Sequence, residues 1–155
     1  MTDNGEHHIN ENAMPHTNPS VDELRAILGR TRVIAMVGAS SDPSRPSYSV
    51  MKILLDAGFD VIPVNPRETE VHGRAAVRSL ADITVPIDIV DVFRPAETTP
   101  AIADEAVAAG AAVLWLQLGI TNDDAAARAT AGGLVVVMDE CLGAFVKRHA
   151  ITTSA

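Results

Sequence analysis

The chain has 155 residues, which is enough for one domain with a sizeable core. Its formal net charge of −8 argues against nonspecific binding of nucleic acid, and no apolar run approaches the roughly 18–20 residues of a membrane span. Hydrophobic residues make up 47% of the chain but aromatic residues only 3%, so the core must be built from aliphatic side chains. Because Cys141 is the single cysteine, the chain has no internal disulfide, which is typical of a reducing compartment, and we expect a cytoplasmic protein.

The first predicted element follows a polar tail. Residues 1–19 contain almost nothing to bury, and we expect them to be disordered. Ser20 and Glu23 then form the S-x-x-E pattern of a capping box, and apolar residues follow at helical spacing up to Gly29. A helix is therefore predicted at the start of a folded domain that covers residues 20–150, with a short C-terminal tail at 151–155.

From Val33 onwards, short apolar runs alternate with amphipathic segments. The apolar runs predict strands at 33–37, 60–64, 87–92, 112–116 and 134–137. The other segments predict helices at 46–57, near 76–81, and at 100–109, 123–131 and 141–149. Such alternation is typical of a single α/β domain: a Rossmann-like, doubly wound, parallel five-stranded sheet with helices on both faces. With the strands numbered along the chain, we expect the order 3-2-1-4-5 and a ligand site where strands 1 and 4 diverge.

The stretch Val33–Ser47 reads VIAMVGASSDPSRPS, an apolar strand followed by a small, hydroxylated loop and a helix that begins at Pro46. Gly38 permits a sharp turn and the close approach of a ligand. The free N–H groups at the start of the helix favour an anion. The stretch therefore predicts a site for a phosphate-bearing small molecule, and a loop of this type that binds nothing is the alternative.

This loop differs from the dinucleotide-binding fingerprint in two ways. It has one glycine, Gly38, where the G-x-G-x-x-G motif needs three. The second predicted strand ends in Asn65-Pro66-Arg67, and no acid stands at its tip to hold ribose hydroxyls. Both differences count against a site for NAD.

Other candidate ligand contacts lie at the carboxyl ends of the predicted strands, which meet at one edge of a parallel sheet. Three arginines lie on these predicted loops: Arg45, Arg67 and Arg94. Arginine suits phosphate because its guanidinium donates paired hydrogen bonds, although solvated surface arginines are the alternative. Phe93 is a candidate for contact with the ligand or for ordinary packing. Gln117 and Gly119 suit a ligand amide and a close backbone approach, or a simple strand-end turn.

The sequence offers no convincing catalytic constellation. It has no acid/base pair at the strand tips, no metal-binding cluster and no G-x-S-x-G elbow. Cys141 lies close to a predicted helix start, but His72 and His149 are far from it in sequence, so we expect an inert thiol rather than a nucleophile. A thiol that exchanges with a disulfide is the alternative. A binding module is therefore favoured over an enzyme.

Five segments, in order along the chain, resemble a known family: VGASSDPSRPSY (37–48), VIPVNP (61–66), SLADI (79–83), IDIVDVFRP (87–95) and WLQLGI (115–120). Over residues 31–149 the chain resembles the small stand-alone CoA-binding proteins, which are similar to the N-terminal CoA-binding domain of the succinyl-CoA synthetase alpha subunit. The resemblance implies a Rossmann-like domain that binds CoA without the catalytic domain or the phosphohistidine segment of the synthetase.

The resemblance also implies three groups of binding residues. The phosphate loop comprises Gly38, Ala39, Ser40, Pro43, Ser44 and Arg45. The nucleotide side is lined by Asn65, Pro66 and Arg67. The rest of the cleft is lined by Phe93, Arg94, Gln117 and Gly119.

The C-terminal segment departs from the family pattern. Glu140 precedes Cys141 where the family has a basic residue, and Phe145-Val146 stand where a Glu-His pair is expected. Taken with the missing catalytic groups, the resemblance implies a non-catalytic module for CoA or an acyl-CoA. An NAD(P)-dependent oxidoreductase and a CoA-binding subunit of an acyl-CoA synthetase complex are the alternatives. The acyl group, any protein partner and the oligomeric state stay open.

Overall fold

Strands and helices alternate along residues 15–153, the part of the chain that the computed structural model describes. The helices are α1 (Val21–Gly29), α2 (Pro46–Asp56), α3 (Thr99–Ala108), α4 (Asp123–Ala131) and α5 (Leu142–Arg148). The strands are β1 (Val33–Val37), β2 (Asp60–Val64), β3 (Glu70–Val71), β4 (Arg74–Ala75), β5 (Ile89–Val92), β6 (Val113–Leu116) and β7 (Val135–Val137). The predicted α/β class is confirmed, and each predicted strand is present.

The segment between β2 and β5 differs most from its prediction. It carries an antiparallel hairpin, β3–β4, whose strands of two residues each are too short to show a periodic pattern. The helix expected near 76–81 is instead a single 3₁₀ turn, Leu80–Asp82. Val77 pairs with Val64 in an isolated parallel bridge, which holds this segment against the end of β2.

Local hydrogen bonds explain where two of the helices begin. The Ser20 hydroxyl accepts from the Glu23 N–H at 3.1 Å, and the Glu23 carboxylate accepts from the Ser20 N–H at 2.7 Å. The predicted capping box is therefore present at α1. At α4, Asn122 Oδ1 accepts from the Ala125 N–H at 2.9 Å. Each cap satisfies amides that have no partner within their own helix.

The five long strands form one parallel sheet in the order β2-β1-β5-β6-β7. The expected order 3-2-1-4-5 is wrong, because the third long strand pairs with β1: Ile34–Val37 run beside Ile89–Val92. Pro63 gives a physical reason, since proline has no N–H for a ladder and is tolerated in an edge strand such as β2. The fully buried β5 takes the central place, where the expected order has β1.

Helices cover both faces of the sheet and enclose an aliphatic core on each side. α1, α2 and α5 pack on the face that carries Met36 and Trp115. α3, α4 and the 3₁₀ turn pack on the opposite face, which carries Leu114. The buried positions of α3 and α4 are mostly alanines, and such small side chains let both helices lie close to the sheet. The doubly wound architecture is thereby confirmed.

Contacts with the sheet and its helices continue on both sides of residues 20–150. Residues 1–14 of the predicted tail, like residues 154 and 155, lie outside the described residues. The Asn18 side chain, however, makes two hydrogen bonds of 2.8 Å with the N–H and the carbonyl of Met138. Beyond α5, Ile151 packs on the core and the Thr153 N–H donates to the Ala57 carbonyl at 2.9 Å. Among the helices between residues 15 and 153, none is long and apolar enough to cross a membrane.

Candidate functional site

The carboxyl ends of β1 and β5 border a cleft at the point where the winding of the sheet changes direction. From β1 the chain crosses through α2 to β2 on one side, and from β5 it crosses through α3 to β6 on the other. Ligands of open α/β sheets bind at such a switch point. It lies between the first and third long strands, which corrects the expected position between strands 1 and 4. The cleft has a volume of about 1260 Å³ and receives residues from the ends of β1, β2, β5 and β6.

Gly38 makes the turn that leads from β1 into the cleft. Its φ of +88° lies in the region that favours glycine. A Cβ atom at this position would lie 2.5 Å from the Phe93 carbonyl oxygen and 3.0 Å from Cδ of Arg94. The close approach of the chain that follows β5 therefore explains this glycine, and the expected close approach of a ligand stays a prediction.

The loop between β1 and α2 is held in shape by its own polar side chains. Ser40 Oγ accepts from the Asp42 N–H at 3.0 Å. The Asp42 carboxylate accepts from the N–H of Ser44 at 2.9 Å and from its hydroxyl at 2.8 Å, and these bonds lower the pKa of Asp42. Ser47 Oγ, in the first turn of α2, accepts from the Ser40 N–H at 3.1 Å. Short polar side chains thus stabilise a turn that has a single glycine.

One amide of this loop is bonded to a carboxylate from a different segment. The Ser41 N–H donates to Glu68 Oε2 at 2.9 Å. Glu68 follows β2 and also lines the cleft. The tip residues Asn65-Pro66-Arg67 include no acid, as expected, and Glu68 is the acid that comes directly after them. Its carboxylate lies at an amide where the sequence predicts a phosphate.

Four of the twelve basic side chains of this acidic protein line the cleft: Arg45, Arg67, Arg78 and Arg94. Arg45, Arg67 and Arg94 are the arginines expected at strand ends. The side chain of Arg45 is 70% exposed, and its nearest carboxylate, that of Asp42, is 3.9 Å away. Arg78 donates to the Pro66 carbonyl at 3.4 Å. Because only two glutamates, Glu68 and Glu105, line the described cleft, its wall has a positive surplus that suits phosphate.

Asn65 lines the cleft and uses its amide to hold two loops together. Its Nδ2 donates to the Ala39 carbonyl at 2.8 Å, and its Oδ1 accepts from the Arg67 N–H at 2.9 Å. These bonds connect the loop after β1 with the loop after β2. Asn65 thereby fixes the spacing of the backbone segments that carry Arg45 and Arg67.

A buried polar pair lies at the end of the cleft near β6. Gln117 follows β6, lines the cleft and is 4% exposed. Its Nε2 donates to Oδ1 of Asp91, a fully buried residue of β5. Burial raises the pKa of Asp91 to about 7, and the hydrogen bond from Gln117 opposes that rise. Asp91 is not among the predicted site residues, and its one signal is an acid inside the apolar run IVDV.

Apolar side chains from α3 and from the loop after β6 form another part of the wall. Ile102, Leu118 and Ile120 line the cleft, and Leu118 is 70% exposed. Cys141 also lines it, and its Sγ accepts from the Ala144 N–H at 3.4 Å at the start of α5. The cleft therefore combines cationic groups with apolar surface, as an amphipathic anionic ligand requires.

Most of the predicted binding residues lie at the cleft. Nine line it: Gly38, Ser40, Arg45, Asn65, Pro66, Arg67, Phe93, Arg94 and Gln117. Four do not line the described cleft: Ala39, Pro43, Ser44 and Gly119. Ala39 is buried in the core, Pro43 and Ser44 are exposed, and Gly119 donates its N–H to Asp139 at 2.7 Å. Ligand contacts of all thirteen residues remain predictions.

The fold and the cleft define a class of protein. A doubly wound parallel sheet with an arginine-lined cleft at its switch point is a small-molecule-binding domain of the Rossmann-like class. Comparison with known proteins then gives the family. The chain matches the family described as CoA binding domain over residues 32–147, and it belongs to that family. The resemblance found in the sequence is confirmed.

The relatives include single-domain proteins and part of a larger ligase. The chain is 44% identical over 135 residues to the uncharacterized protein YneT of Bacillus subtilis (strain 168). This match covers 87% of this chain and 98% of YneT. The solved structure of a hypothetical protein from Pyrococcus horikoshii OT3 has a TM-score of 0.81 and 38% identity, over 87% of this chain and 98% of that one. Over 65 residues the chain is 42% identical to the alpha subunit of acetate–CoA ligase [ADP-forming] II of Pyrococcus furiosus. That match covers 41% of this chain and only 14% of the subunit.

Proposed function

We propose that this protein binds CoA in the cleft, with the phosphates of CoA near the loop after β1. The observation that carries the proposal is the set of four arginines around one switch-point cleft, in a chain of net charge −8 that belongs to a CoA-binding family. CoA consists of a 3′-phosphorylated ADP unit and a long pantetheine arm that ends in a thiol. Guanidinium groups suit its phosphates, and the apolar wall around Leu118 suits its arm or an attached acyl group.

We propose that the module binds its ligand without transforming it. Within the described cleft wall there is no histidine to act as a base, and the only thiol, Cys141, has its sulfur bonded to the Ala144 N–H. Nucleophilic catalysis needs a nucleophile with a base within hydrogen-bonding reach. The single cysteine of the chain also supports a location in a reducing compartment, the cytoplasm.

Thermal unfolding with added ligands tests the proposal directly. A ligand that binds only the folded state raises the melting temperature by mass action. We expect CoA to raise it clearly, acetyl-CoA to raise it to a similar extent, and NAD and NADP to raise it much less at the same concentration. A larger shift with NAD than with CoA would contradict the proposal.

The second candidate is an NAD(P)-dependent function, and Glu68 is the observation that favours it. In dinucleotide sites an acid near the end of the second strand accepts from the ribose hydroxyls. Glu68 follows β2, but its carboxylate accepts from the Ser41 N–H of the loop, which is the place expected for a phosphate. The relatives described above include no oxidoreductase. The same melting experiment separates the two candidates.

A finer candidate is a CoA-binding subunit of an acyl-CoA synthetase complex. The name of the Pyrococcus furiosus relative supports it, since that protein is the alpha subunit of an ADP-forming acetate–CoA ligase. Native mass spectrometry of the protein purified from its own cells tests it. A single chain that carries the mass of CoA supports the stand-alone module, whereas a stable assembly with a second, larger chain supports the subunit.

A further inference from the structure

The buried carboxyl group of Asp91 calls for a role that the fold alone does not supply. Asp91 is fully buried on the central strand β5, between Met36 of β1 and Trp115 of β6. Oδ1 accepts from Gln117 Nε2, but Oδ2 is buried and has no hydrogen-bond partner among residues 15–153. An incompletely paired carboxyl group is costly to bury, so an apolar residue at this position would stabilise the sheet better.

The carboxylate determines which way the Gln117 amide faces. An ionised carboxylate only accepts hydrogen bonds, so Gln117 has to turn its NH₂ group towards Asp91. The amide oxygen of Gln117 has no partner in the described part of the chain, and it is not among the fully buried unpaired atoms. Because Gln117 lines the cleft, this oxygen is the amide atom that is left for a ligand.

The position of Gln117 in the sheet indicates which part of a ligand it meets. The loop after β1 and Arg67 after β2 lie at one end of the row of strand tips, and Gln117 follows β6. β6 is two strands from β1, a distance of about 10 Å at the usual strand spacing. A ligand whose phosphates lie at the loop after β1 reaches Gln117 only with a part that extends beyond the phosphates.

We propose that Asp91 is a positioning residue that fixes Gln117 so that its carbonyl oxygen accepts a hydrogen bond from an amide N–H of the ligand's arm. The proposal rests on the proposed function, because the pantetheine arm of CoA supplies two secondary amide N–H groups. A Gln117 side chain turned the other way would present its NH₂ group and favour an acceptor. The pair therefore makes this end of the cleft selective for a donor.

The experiment compares CoA with adenosine 3′,5′-bisphosphate, which has the adenosine and two of the three phosphates of CoA and lacks the arm. Calorimetry at pH 8 gives both affinities for the unchanged protein, for Asp91→Asn and for the double variant Asp91→Asn/Gln117→Glu. An asparagine at position 91 both donates and accepts, so the orientation of the Gln117 amide is no longer fixed. In the double variant, the asparagine amide donates to one carboxylate oxygen at position 117 and leaves the other oxygen for the ligand.

The readout is the affinity for CoA divided by that for the bisphosphate, because uniform effects on the nucleotide part cancel in this ratio. We expect the ratio to fall roughly ten-fold in Asp91→Asn, the effect of about one hydrogen bond, and to return to within about two-fold in the double variant. Unfolding curves at pH 8 check that both variants fold.

Each result has a definite meaning. If the unchanged protein binds neither ligand, the proposed function fails and the role of Asp91 fails with it. If the protein binds CoA but Asp91→Asn leaves the ratio unchanged, the role of Asp91 is refuted while the proposed function stands. A ratio that falls and is not restored by the double variant shows a merely structural effect and likewise overturns the proposal.

Discussion

Replacing Asp91 with asparagine should stabilise the protein above pH 7. Burial raises the pKa of Asp91 from 3.8 to about 7, with an opposing contribution from the Gln117 hydrogen bond. At a pH between these two pKa values, Asp91 is protonated in the native state and ionised in the unfolded chain. The free energy of unfolding therefore falls as the pH rises from about 4 to about 7 and then stays low. Asparagine does not titrate, so the free energy of unfolding of the variant does not fall in this way as the pH rises.

The size of the gain follows from the shift. The pKa rises from 3.8 to about 7, and each pH unit corresponds to about 1.4 kcal/mol. The ionised carboxylate therefore lowers the free energy of unfolding by at most about 4 kcal/mol. Asparagine has the shape of a protonated aspartate. Either side chain leaves one buried polar atom without a partner at position 91, so the cost of burying that atom is the same in the two proteins. We expect a gain of about 1–4 kcal/mol at pH 8 and a gain near zero at pH 4.

Urea unfolding at pH 4 and pH 8, followed through the fluorescence of the single tryptophan, Trp115, measures both values. Asp88→Asn is the matched control just before the same strand. Asp88 Oδ2 accepts from the N–H groups of Arg32 and Val33 at 2.9 Å each, so loss of its charge should weaken both bonds and lower stability at pH 8. An Asp91→Asn protein that is no more stable than the unchanged protein at pH 8 would refute the reasoning. A difference that is independent of pH would refute it too.

Three further substitutions test the cleft and its loop. Arg45→Ala should weaken CoA binding by about 1–3 kcal/mol in calorimetry. The control Arg30→Ala, at the exposed end of α1, should leave the affinity for CoA unchanged. If both variants bind CoA equally well, Arg45 is an ordinary surface residue. Glu68→Gln should tighten CoA binding roughly three- to ten-fold, because a neutral amide oxygen holds the Ser41 N–H less strongly than a carboxylate and does not repel a phosphate. Weaker binding would instead point to contact with ligand hydroxyls. Gly38→Ala should lower the free energy of unfolding more than Gly119→Ala does, and the difference should be about 1 kcal/mol or more. Both glycines have positive φ, at +88° and +84°, but only an added Cβ at Gly38 meets other atoms within 4 Å, so equal losses in urea unfolding would argue against the clash.

The order of the strands shows which part of the fold sequence patterns leave open. Apolar runs locate the strands, because each buried strand needs one, but they do not say which strands are neighbours. The expected order 3-2-1-4-5 would put β2 between two neighbouring strands, with Pro63 inside it. A proline inside a strand argues for an edge position, and this signal is present in the sequence. The two-residue strands of the hairpin β3–β4 have no comparable signal.

Some of the residues that line the cleft could be predicted from the sequence and others could not. Residues such as Arg45, Arg67 and Arg94 could be predicted, because the carboxyl ends of parallel strands always meet at one edge. Arg78 and Glu68 reach the cleft through an irregular segment whose path depends on tertiary contacts such as the bridge between Val77 and Val64. No local pattern encodes that path.

In the loop after β1, polar side chains are bonded to amides that a loop with further glycines leaves open to a phosphate. In the dinucleotide motif the second glycine lets a pyrophosphate approach the backbone closely. Here that position is Ser40, whose hydroxyl is bonded inside the loop, and the next amide is bonded to Glu68. A phosphate at this loop therefore meets few free amides, and its attraction must come mainly from guanidinium groups such as that of Arg45. Exposed arginines bind many phosphates, so we expect discrimination between phosphate-bearing ligands to come from the other end of the cleft, where we propose that Gln117 meets the part of the ligand that is not phosphate.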